Sequence, residues 1–432
     1  MVDTADTLTA PEVSVDAFAA EAAAWLEANA PRRAAAKPAD ANEGEMEPGD
    51  PFSVAVFHNL SFEEEQALLQ DLRRWQLAKA ERGYHAVTAP TEYGGLGLTK
   101  EHARAFSRLQ AEYEVPGRHE LFSVTTGLIA PTVRQFGTDE QKDRFVARFL
   151  STEEFCCQLF SEPGAGSDLA GLACRAVRDG DEWVVNGQKV WSSGAQFAGW
   201  GELIARTDPD VAKHRGLTAF LVPLDTPGVE VRPIKQMSGG QSFNEVFFTD
   251  ARIPDALRLG PVGAGWNVAL TTLGFERDHS DSGGGPGRPG GTWRHLLATA
   301  RALGRLDDPV IRQAMMRMYS HLRIEGCVNR RAADLRASGA PAGPEGSLGK
   351  LVWTEGMTLM ADVVARVVGP ALVADTGEWG TYEWGEHVLG APGYRIAGGS
   401  DEVQRNILGE RVLGLPGEPR VDKDLPWRAI PR

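Results

Sequence analysis

The chain has 432 residues, 42% of them hydrophobic and 24% charged, with a mean hydropathy of -0.27. At about 150 residues per structural unit this predicts a globular protein of roughly three units and excludes wholesale disorder. The 45 basic and 59 acidic residues leave a net charge of -14. That charge disfavours nucleic acid and anionic membranes as partners.

Four cysteines are too few and too scattered for a disulfide framework, so a reducing, cytoplasmic location is expected. Cys156 and Cys157 have no Cys or His partner at metal-ligand spacing, which predicts strand residues and no metal site. Asp3 and Asp6 stand where a secretory signal has cations, so no export signal is expected. No apolar run approaches the roughly 18 residues that span a bilayer.

The first third of the chain is predicted to be helical. Apolar residues recur three and four positions apart, and Ser61 and Glu64 have the spacing of a capping box. The segment 31–51 is rich in Pro, Gly and acidic residues and is predicted to be a connection. The predicted helices are 15–30, 61–82, 100–115, 121–136 and 138–150.

Near residue 152 the hydrophobic period changes from 3.6 to 2, which predicts a small antiparallel sheet or barrel. Asp179-Gly180 and Asn186-Gly187 are tight-turn pairs on either side of a strand at 182–185. Further strands are predicted at 203–206, 217–223, 229–234 and 244–249.

After residue 265 the helical period returns, interrupted by DHSDSGGGPGRPGG at 278–291, which is predicted to be a mobile loop. The fold class is therefore α+β, mostly α. The predicted domains are an N-terminal helical domain at 1–151, a middle antiparallel β-domain at 152–264 and a C-terminal helical bundle at 265–432.

Two segments of the middle domain carry polar groups suited to a cofactor. FSEPGAGSDLA at 160–170 is a Gly-rich turn with two hydroxyls, which can present backbone N–H groups to a pyrophosphate or can be an ordinary turn. VNGQKVWSSGAQ places Trp191 beside two serines. This pattern is typical either of a Trp that packs on a flat heteroaromatic ring while a hydroxyl bonds the edge of the ring, or of a Trp in the protein core.

FSEPGAGSD and NGQKVWSSGAQ, followed in order by TAFLVPLDTPGVEVRPIKQM, FNEVFFTDARIP and GGSDEVQRNILGERVLGLP, resemble the acyl-CoA dehydrogenase family of flavoproteins. The resemblance covers roughly residues 84–416 and is greatest to the bacterial fatty-acid and sterol-degradation branch. It implies a C-terminal four-helix bundle and FAD held between the bundle and the β-domain. The cofactor-binding residues that it implies are Gln158, Phe160, Ser161, Gly166, Ser167, Trp191 and Ser193.

The same resemblance implies a carboxylate that removes an α-proton from a thioester. Many members carry this Glu just before Gly-Thr ahead of the last helix, but here that position is Gly398. Another branch supplies it from a Glu-Arg pair in the C-terminal domain, and LGFER gives Glu276 as the base, with Arg277 assigned to substrate. By itself such a pair is more typical of a solvated helix surface. Ser167 and the backbone N–H near Gly398 are further candidates for substrate contacts.

Ser400 and Glu402 are candidates for contacts to FAD and equally for helix caps. The cation that relatives present in Arg-x-x-Phe-Gly is missing, and Arg301, Arg305 and Arg312 are possible replacements. The leading function is FAD-dependent dehydrogenation of an acyl-CoA or acyl-carrier-protein thioester, in a homodimer or homotetramer that passes electrons to an electron-transfer flavoprotein. The alternatives are a flavin monooxygenase and an inactive partner subunit of a hetero-oligomer.

Overall fold

The computed structural model describes residues 13–33, 46–278, 289–338, 343, 346–419, 422–423 and 425–431, with the backbone alone at 276–278 and 336–337. Over these residues a β-sheet stands between helical N- and C-terminal parts, which confirms the predicted fold class. None of the described helices combines the length and apolarity needed to cross a lipid bilayer. Most of the predicted loop at 278–291 lies outside the described residues.

The N-terminal part is helical because its segments carry local start signals. Ser61 forms the predicted capping box with Glu64, and Thr138 forms a second one with Gln141. A π-helical turn interrupts the predicted helix at 121–136, and such turns are frequent at functional sites. The helices are α1 Val15–Asn29, α2 Phe62–Ala80, α3 Lys100–Gln110, α4 Glu120–Ser123, α5 Ala130–Phe136 and α6 Asp139–Leu150, with the π turn at Val124–Ile129 between α4 and α5.

The middle part is one eight-stranded sheet. Its strands are β1 Cys156–Leu159, β2 Arg175–Asp179, β3 Glu182–Lys189, β4 Trp200–Arg206, β5 Leu217–Pro223, β6 Val229–Ile234, β7 Phe243–Pro254 and β8 Arg258–Leu259. The order is β6-β7-β3-β2-β4-β5-β8, with β1 also paired to β4. Most pairs are antiparallel as predicted, but β1 and β2 each pair with β4 in parallel.

One predicted turn is wrong. Asp179-Gly180 does connect β2 to β3, with Gly180 at φ 64°. Asn186-Gly187, however, lies inside β3, which continues along β7 through a bulge between Val185 and Gly187. A Cβ at Gly187 would lie 2.7 Å from the Cα of Cys174, so this glycine serves a close backbone approach rather than a turn.

The C-terminal part packs around Trp384, which is fully buried and donates from Nε1 to Thr299 Oγ1 at 2.9 Å. Phe52 and Val54, far earlier in the chain, join the same apolar cluster. Conversely, Trp427 packs on the β-sheet part, with the Arg206 guanidinium 4.6 Å from its ring. The helices are α7 Gly265–Asp278, α8 Trp293–Ala302, α9 Pro309–Ala337, α10 Gly346–Val368, α11 Trp384–Ile396 and α12 Asp401–Ile407.

A buried carboxyl joins the sheet to two helices. Glu202 on β4 accepts a hydrogen bond from Thr272 Oγ1 of α7 at 2.8 Å, and Thr272 lies 3.0 Å from the hydroxyl of Thr132 on α5. Burial raises the pKa of Glu202 to about 8, against the opposing effect of the Thr272 hydrogen bond. Glu202 is therefore mostly protonated at neutral pH.

This shifted pKa predicts a pH-dependent stability. The pKa of Glu202 is about 8 in the folded protein against an ordinary value of 4.5. The contribution of Glu202 to the free energy of unfolding is therefore fully present below pH 4.5 and is lost as the pH rises through 8. In Glu202→Gln we expect the loss of unfolding free energy between pH 5 and pH 8 to shrink by roughly 2–4 kcal/mol. Denaturant unfolding at both pH values measures it, with the exposed Glu63→Gln as control. Equal pH dependence in wild type and Glu202→Gln would contradict the assignment.

Candidate active site

The end of β1 is fixed by a buried ion pair. Lys189 Nζ donates to the carbonyl of Phe160 at 2.9 Å and to Glu162 Oε1 at 2.7 Å, and both charged side chains are buried. The backbone N–H of Val190 donates to the carbonyl of Ser161 at 2.9 Å. These bonds hold the strand that enters the Gly-rich turn against the end of β3.

The Gly-rich turn meets the start of α12. Ser167 Oγ lies 3.5 Å from Ser400 Oγ, so the structure brings together two predicted site residues separated by 233 positions. Ser400 also caps α12 by accepting from the backbone of Val403, as the cap alternative predicts. A Cβ at Gly166 would meet no atom of the described residues within 4 Å, so its backbone is open to a ligand. Glu402 is exposed, one position into the helix.

The turn before α12 requires glycine. Gly398 and Gly399 have φ of 63° and 83°, values that side-chain-bearing residues rarely adopt. Gln404 Nε2 donates to both of their carbonyls, at 3.0 and 3.2 Å. The next residue, Asp401, is buried and anchors the helix through three partners, Lys350, Thr354 and Arg395. The presence of Gly at position 398, where many family members have Glu, therefore agrees with the positive φ of this residue.

Glu276 and Arg277 are helical, in the last turn of α7, but their side chains lie outside the described residues. The preceding Phe275 packs on an apolar cluster that includes Phe160 and Ala165. Phe275 and the Gly-rich turn therefore contribute to one apolar cluster.

Trp191 is held out of the core. Its φ is 62° and it is 59% exposed, with one edge-to-face contact to Phe243 at 5.9 Å. The alternative of a core Trp is therefore wrong. Asn244 holds the backbone of Ser192 on both sides, accepting from its N–H at 3.1 Å and donating to its carbonyl at 3.0 Å. Ser193 is half-buried.

A buried network connects this turn to the N-terminal helices. His119 caps α4 by accepting from the Leu121 N–H at Nδ1, so its Nε2 carries the proton and donates to Glu65 Oε1 at 2.7 Å. Gln196 Nε2 donates to Glu65 Oε2 at 3.4 Å, and Asn244 Nδ2 donates to Gln196 Oε1. A Cβ at Gly194 would lie 2.8 Å from Leu121 Cβ, so the two elements are in direct contact.

Within the described part of the chain, His58, Glu65 and His119 form a group with metal-like spacing, their ligand atoms within 4.8 Å. The proton on His119 Nε2 occupies the position that a metal ion would need. Burial lowers the pKa of His58, and the nearby charge of Glu65 offsets part of this lowering. We therefore interpret the group as a hydrogen-bond network.

Sequence reasoning missed Glu120, the first residue of α4. Glu120 is exposed; desolvation raises the pKa of its carboxyl, and Ser193 lowers it in part. The signal was available only in three dimensions, because Glu120 and Ser193 lie on different predicted domains.

The residues of the Trp191 turn and of the end of β1 fit a flavin. Trp191 offers an accessible aromatic face, and Ser161 and Ser193 are half-buried hydroxyls. Gln158 Nε2 is buried without a hydrogen-bond partner among the described residues. A flat heteroaromatic ring with polar edges would satisfy both kinds of group. Arg301, Arg305 and Arg312, the possible replacements for the missing cation, are all exposed.

Three domain families match the chain consecutively. Residues 58–153 match the acyl-CoA dehydrogenase N-terminal domain, 157–251 the middle domain and 263–413 the C-terminal domain. The chain belongs to the acyl-CoA dehydrogenase family. It is thus an oxidoreductase of a family whose members are FAD flavoproteins, which confirms the resemblance.

Among curated relatives, the chain is 39% identical to acyl-CoA dehydrogenase IpdE1 of Mycobacterium tuberculosis, over 82% of this chain and 91% of that protein. It is 37% identical to acyl-CoA dehydrogenase FadE34 of the same organism, over 82% of this chain and 47% of FadE34. These identities support acyl-CoA dehydrogenation as the general activity.

Among solved structures, the Tcur3481-Tcur3483 steroid ACAD is 25% identical, with a TM-score of 0.67 over 96% of this chain and 100% of that one. The ChsE4-ChsE5 complex from Mycobacterium tuberculosis is 26% identical, with a TM-score of 0.62 over 84% of this chain and 100% of that one. Both are similar to this chain across the helical and β-sheet parts.

The buried ion pair predicts a specific loss of stability. Glu162 also accepts from the backbone N–H groups of Ala173 and Cys174, so removing Lys189 leaves a buried carboxylate only partly compensated. We expect Lys189→Met to lower the free energy of unfolding by about 3–5 kcal/mol. The matched control is Lys142→Met, which breaks a surface pair with Asp139 and costs less than about 1 kcal/mol. Denaturant unfolding compares them, and equal losses would refute the role of the buried pair.

Proposed function

We propose that the protein catalyses FAD-dependent α,β-dehydrogenation of an acyl-CoA thioester, with Glu276 abstracting the α-proton. The observation that carries the proposal is that the Gly-rich turn meets both the start of α12, through Ser167 and Ser400, and the Trp191 turn, through the bond from the Val190 N–H to the Ser161 carbonyl. Phe275 of α7 packs on the large apolar cluster to which Phe160 and Ala165 of the Gly-rich turn also belong. Trp191 stands accessible on the turn after β3.

The residues proposed to hold FAD lie on the Gly-rich turn, on the Trp191 turn, at the end of β1 and at the start of α12. Trp191 would pack on the isoalloxazine ring, and Ser193 would hydrogen-bond near its reactive nitrogen. Bound FAD supplies the acceptor for the β-hydride. The remaining cofactor contacts are assigned to Gln158, Phe160, Ser161, Gly166, Ser167, Ser400 and Glu402.

Substrate polarisation is assigned to backbone as well as side chains. The N–H near Gly398 would donate to the thioester carbonyl oxygen, where negative charge develops as the α-proton leaves. This role needs no side chain, and it fits a turn whose positive φ favours glycine. Ser167 and Arg277 are the proposed side-chain contacts to the substrate.

Glu276 is proposed as the base because it belongs to the Glu-Arg pair that the family resemblance implies and lies in the last turn of α7, a helix that buried hydrogen bonds tie to the sheet. Thr272, one helical turn earlier, is held by Glu202 and Thr132. A carboxylate in a site that excludes water gains proton affinity, which suits a general base near neutral pH. The proton would pass from the substrate α-carbon to the Glu276 carboxylate.

The proposed electron acceptor is an electron-transfer flavoprotein, and the proposed assembly is a homodimer or homotetramer. An inactive partner subunit is the second candidate, because position 398 lacks the Glu of many relatives and the ChsE4-ChsE5 structure is a complex of two components. The visible spectrum of the protein purified alone separates the two. A yellow protein that acyl-CoA bleaches supports the enzyme, and a colourless one supports the partner subunit.

The assignment of the base is tested by Glu276→Gln, which keeps the size of the side chain and removes its basicity. We expect the variant to retain bound flavin and to reduce it with an acyl-CoA roughly 10²–10⁴-fold more slowly than wild type. Anaerobic stopped-flow absorbance at the flavin band measures the rate.

The matched control is Asp362→Asn, an exposed acidic residue on α10, for which we expect the wild-type rate. A Glu276→Gln variant that bleaches at the wild-type rate would remove Glu276 from the mechanism. Bleaching by neither wild type nor variant would count against the proposed function itself.

A further inference from the structure

The C-terminal segment, residues 425–431, packs against the far end of the Gly-rich turn. It lies beyond residue 413, where the match to the family's C-terminal domain ends. Trp427 Nε1 donates to the carbonyl of Gly171 at 3.1 Å, and Gly171 directly follows FSEPGAGSDLA. The segment is therefore bonded to the end of the turn that carries Ser167.

Backbone hydrogen bonds seat Trp427 on the loop between β4 and β5. The N–H of Trp427 donates to the carbonyl of Val211 at 2.9 Å. The N–H of Arg428 donates to the carbonyl of Pro209 at 3.1 Å, and the Arg428 guanidinium pairs with Asp210. The position of the indole is therefore set by the backbone of its own segment as well as by its bond to the turn.

A buried guanidinium lies under the indole. Arg206 is 3% exposed and donates to the carbonyls of Ala170 and Leu172, at 2.6 Å and 3.2 Å, on either side of Gly171. The ring of Trp427 covers this cation, with 4.6 Å between the Arg206 Cζ and the ring centroid. One cation and one indole N–H therefore hold the carbonyls of three consecutive residues.

The residue after Ser167 is tied to the same region by charge. Lys213 Nζ lies 3.0 Å from Asp168 Oδ1 and 2.7 Å from Asp422 Oδ2. The side chain of Asp168 is 62% exposed, and exposed ion pairs contribute little free energy. The bonds to the three carbonyls are therefore the stronger constraint on this end of the turn.

The middle of the turn depends on how its two ends are held. A Cβ at Gly164 or at Gly166 would meet no atom of the described residues within 4 Å, so neighbouring side chains do not confine this stretch. Glycine also has the largest backbone freedom. The first end is held by the buried ion pair after β1, and the second end by the bond from Trp427. The placement of Ser167 between these ends therefore depends on the C-terminal segment.

We propose that Trp427 is a positioning residue for the candidate site, an inference that rests on the proposed function. Its indole N–H fixes the end of the Gly-rich turn, and the turn presents the Ser167 hydroxyl to an acceptor oxygen of its ligand. That ligand is the pyrophosphate of FAD or the pantetheine of the thioester. A hydroxyl held in place before binding costs less ordering entropy when the ligand arrives. Trp427 acts through Gly171 and Ser167.

The test is a double-mutant cycle on the flavin-loaded protein. Flavin fluorescence on serial dilution measures the dissociation constant of FAD. Titration calorimetry measures that of 3-thiaoctanoyl-CoA, whose sulfur replaces the β-carbon and prevents dehydrogenation. We expect Ser167→Ala to raise one of these constants. We expect Trp427→Phe, which keeps a ring over Arg206 and removes the N–H, to raise the same constant roughly 2- to 10-fold.

The double variant separates positioning from a general effect on the fold. Without the Ser167 hydroxyl its placement no longer matters, so Ser167→Ala combined with Trp427→Phe should bind nearly as Ser167→Ala alone does. The matched control is Trp379→Phe, which removes a similar bond from an indole N–H to the carbonyl of Asp50, at 2.9 Å. We expect this control to keep both wild-type dissociation constants.

Three results overturn the positioning role. They are unchanged constants in Trp427→Phe, unchanged constants in Ser167→Ala, and a rise in Trp427→Phe that is equally large with and without the Ser167 hydroxyl. If octanoyl-CoA still bleaches the wild-type flavin, the dehydrogenase proposal survives any of these. If wild type retains no flavin and binds no thioester, the dehydrogenase proposal fails and this inference fails with it.

Discussion

Glu65 accepts hydrogen bonds from His119 and Gln196 inside the protein, and the position of the candidate site depends on this buried carboxylate. It lies on α2, whereas its partners lie on the cap of α4 and on the turn after β3. Because a buried acceptor left without its donors is costly, the three elements are held in one arrangement. Asn244 extends the network to the backbone of Ser192, beside Trp191.

The same principle recurs at two other places in the structure. Lys189 and Glu162 fix the end of β1, and Glu202 fixes α7 through Thr272. Each is a buried ionisable group whose hydrogen bonds join segments that are distant in sequence. Such groups add less to stability than apolar packing would, but they specify a geometry. A site for thioester chemistry needs that geometry, because the base, the hydrogen-bond donors and the ring must face one another.

Much of the fold was predictable because its signals are local. Ser61 and Glu64 lie one helical turn apart, and their capping box forms as predicted. Asp179-Gly180 also forms its turn. Asn186-Gly187 carries an equally strong turn signal, yet it lies inside β3, because pairing with the long β7 outweighs the preference of two residues. The competing interaction is about sixty residues away and leaves no mark on the local pattern.

The sequence by itself determined the order of helices and sheet, the family, and where along the chain the Gly-rich and Trp191 segments lie. It could do so because periodicity, caps and motifs are encoded within a few positions. Only the tertiary structure decided that Ser167 meets Ser400 and that Gly398 has a positive φ. Contacts of this kind depend on burial and on partners from other elements. Their energies arise only when the chain has closed around them.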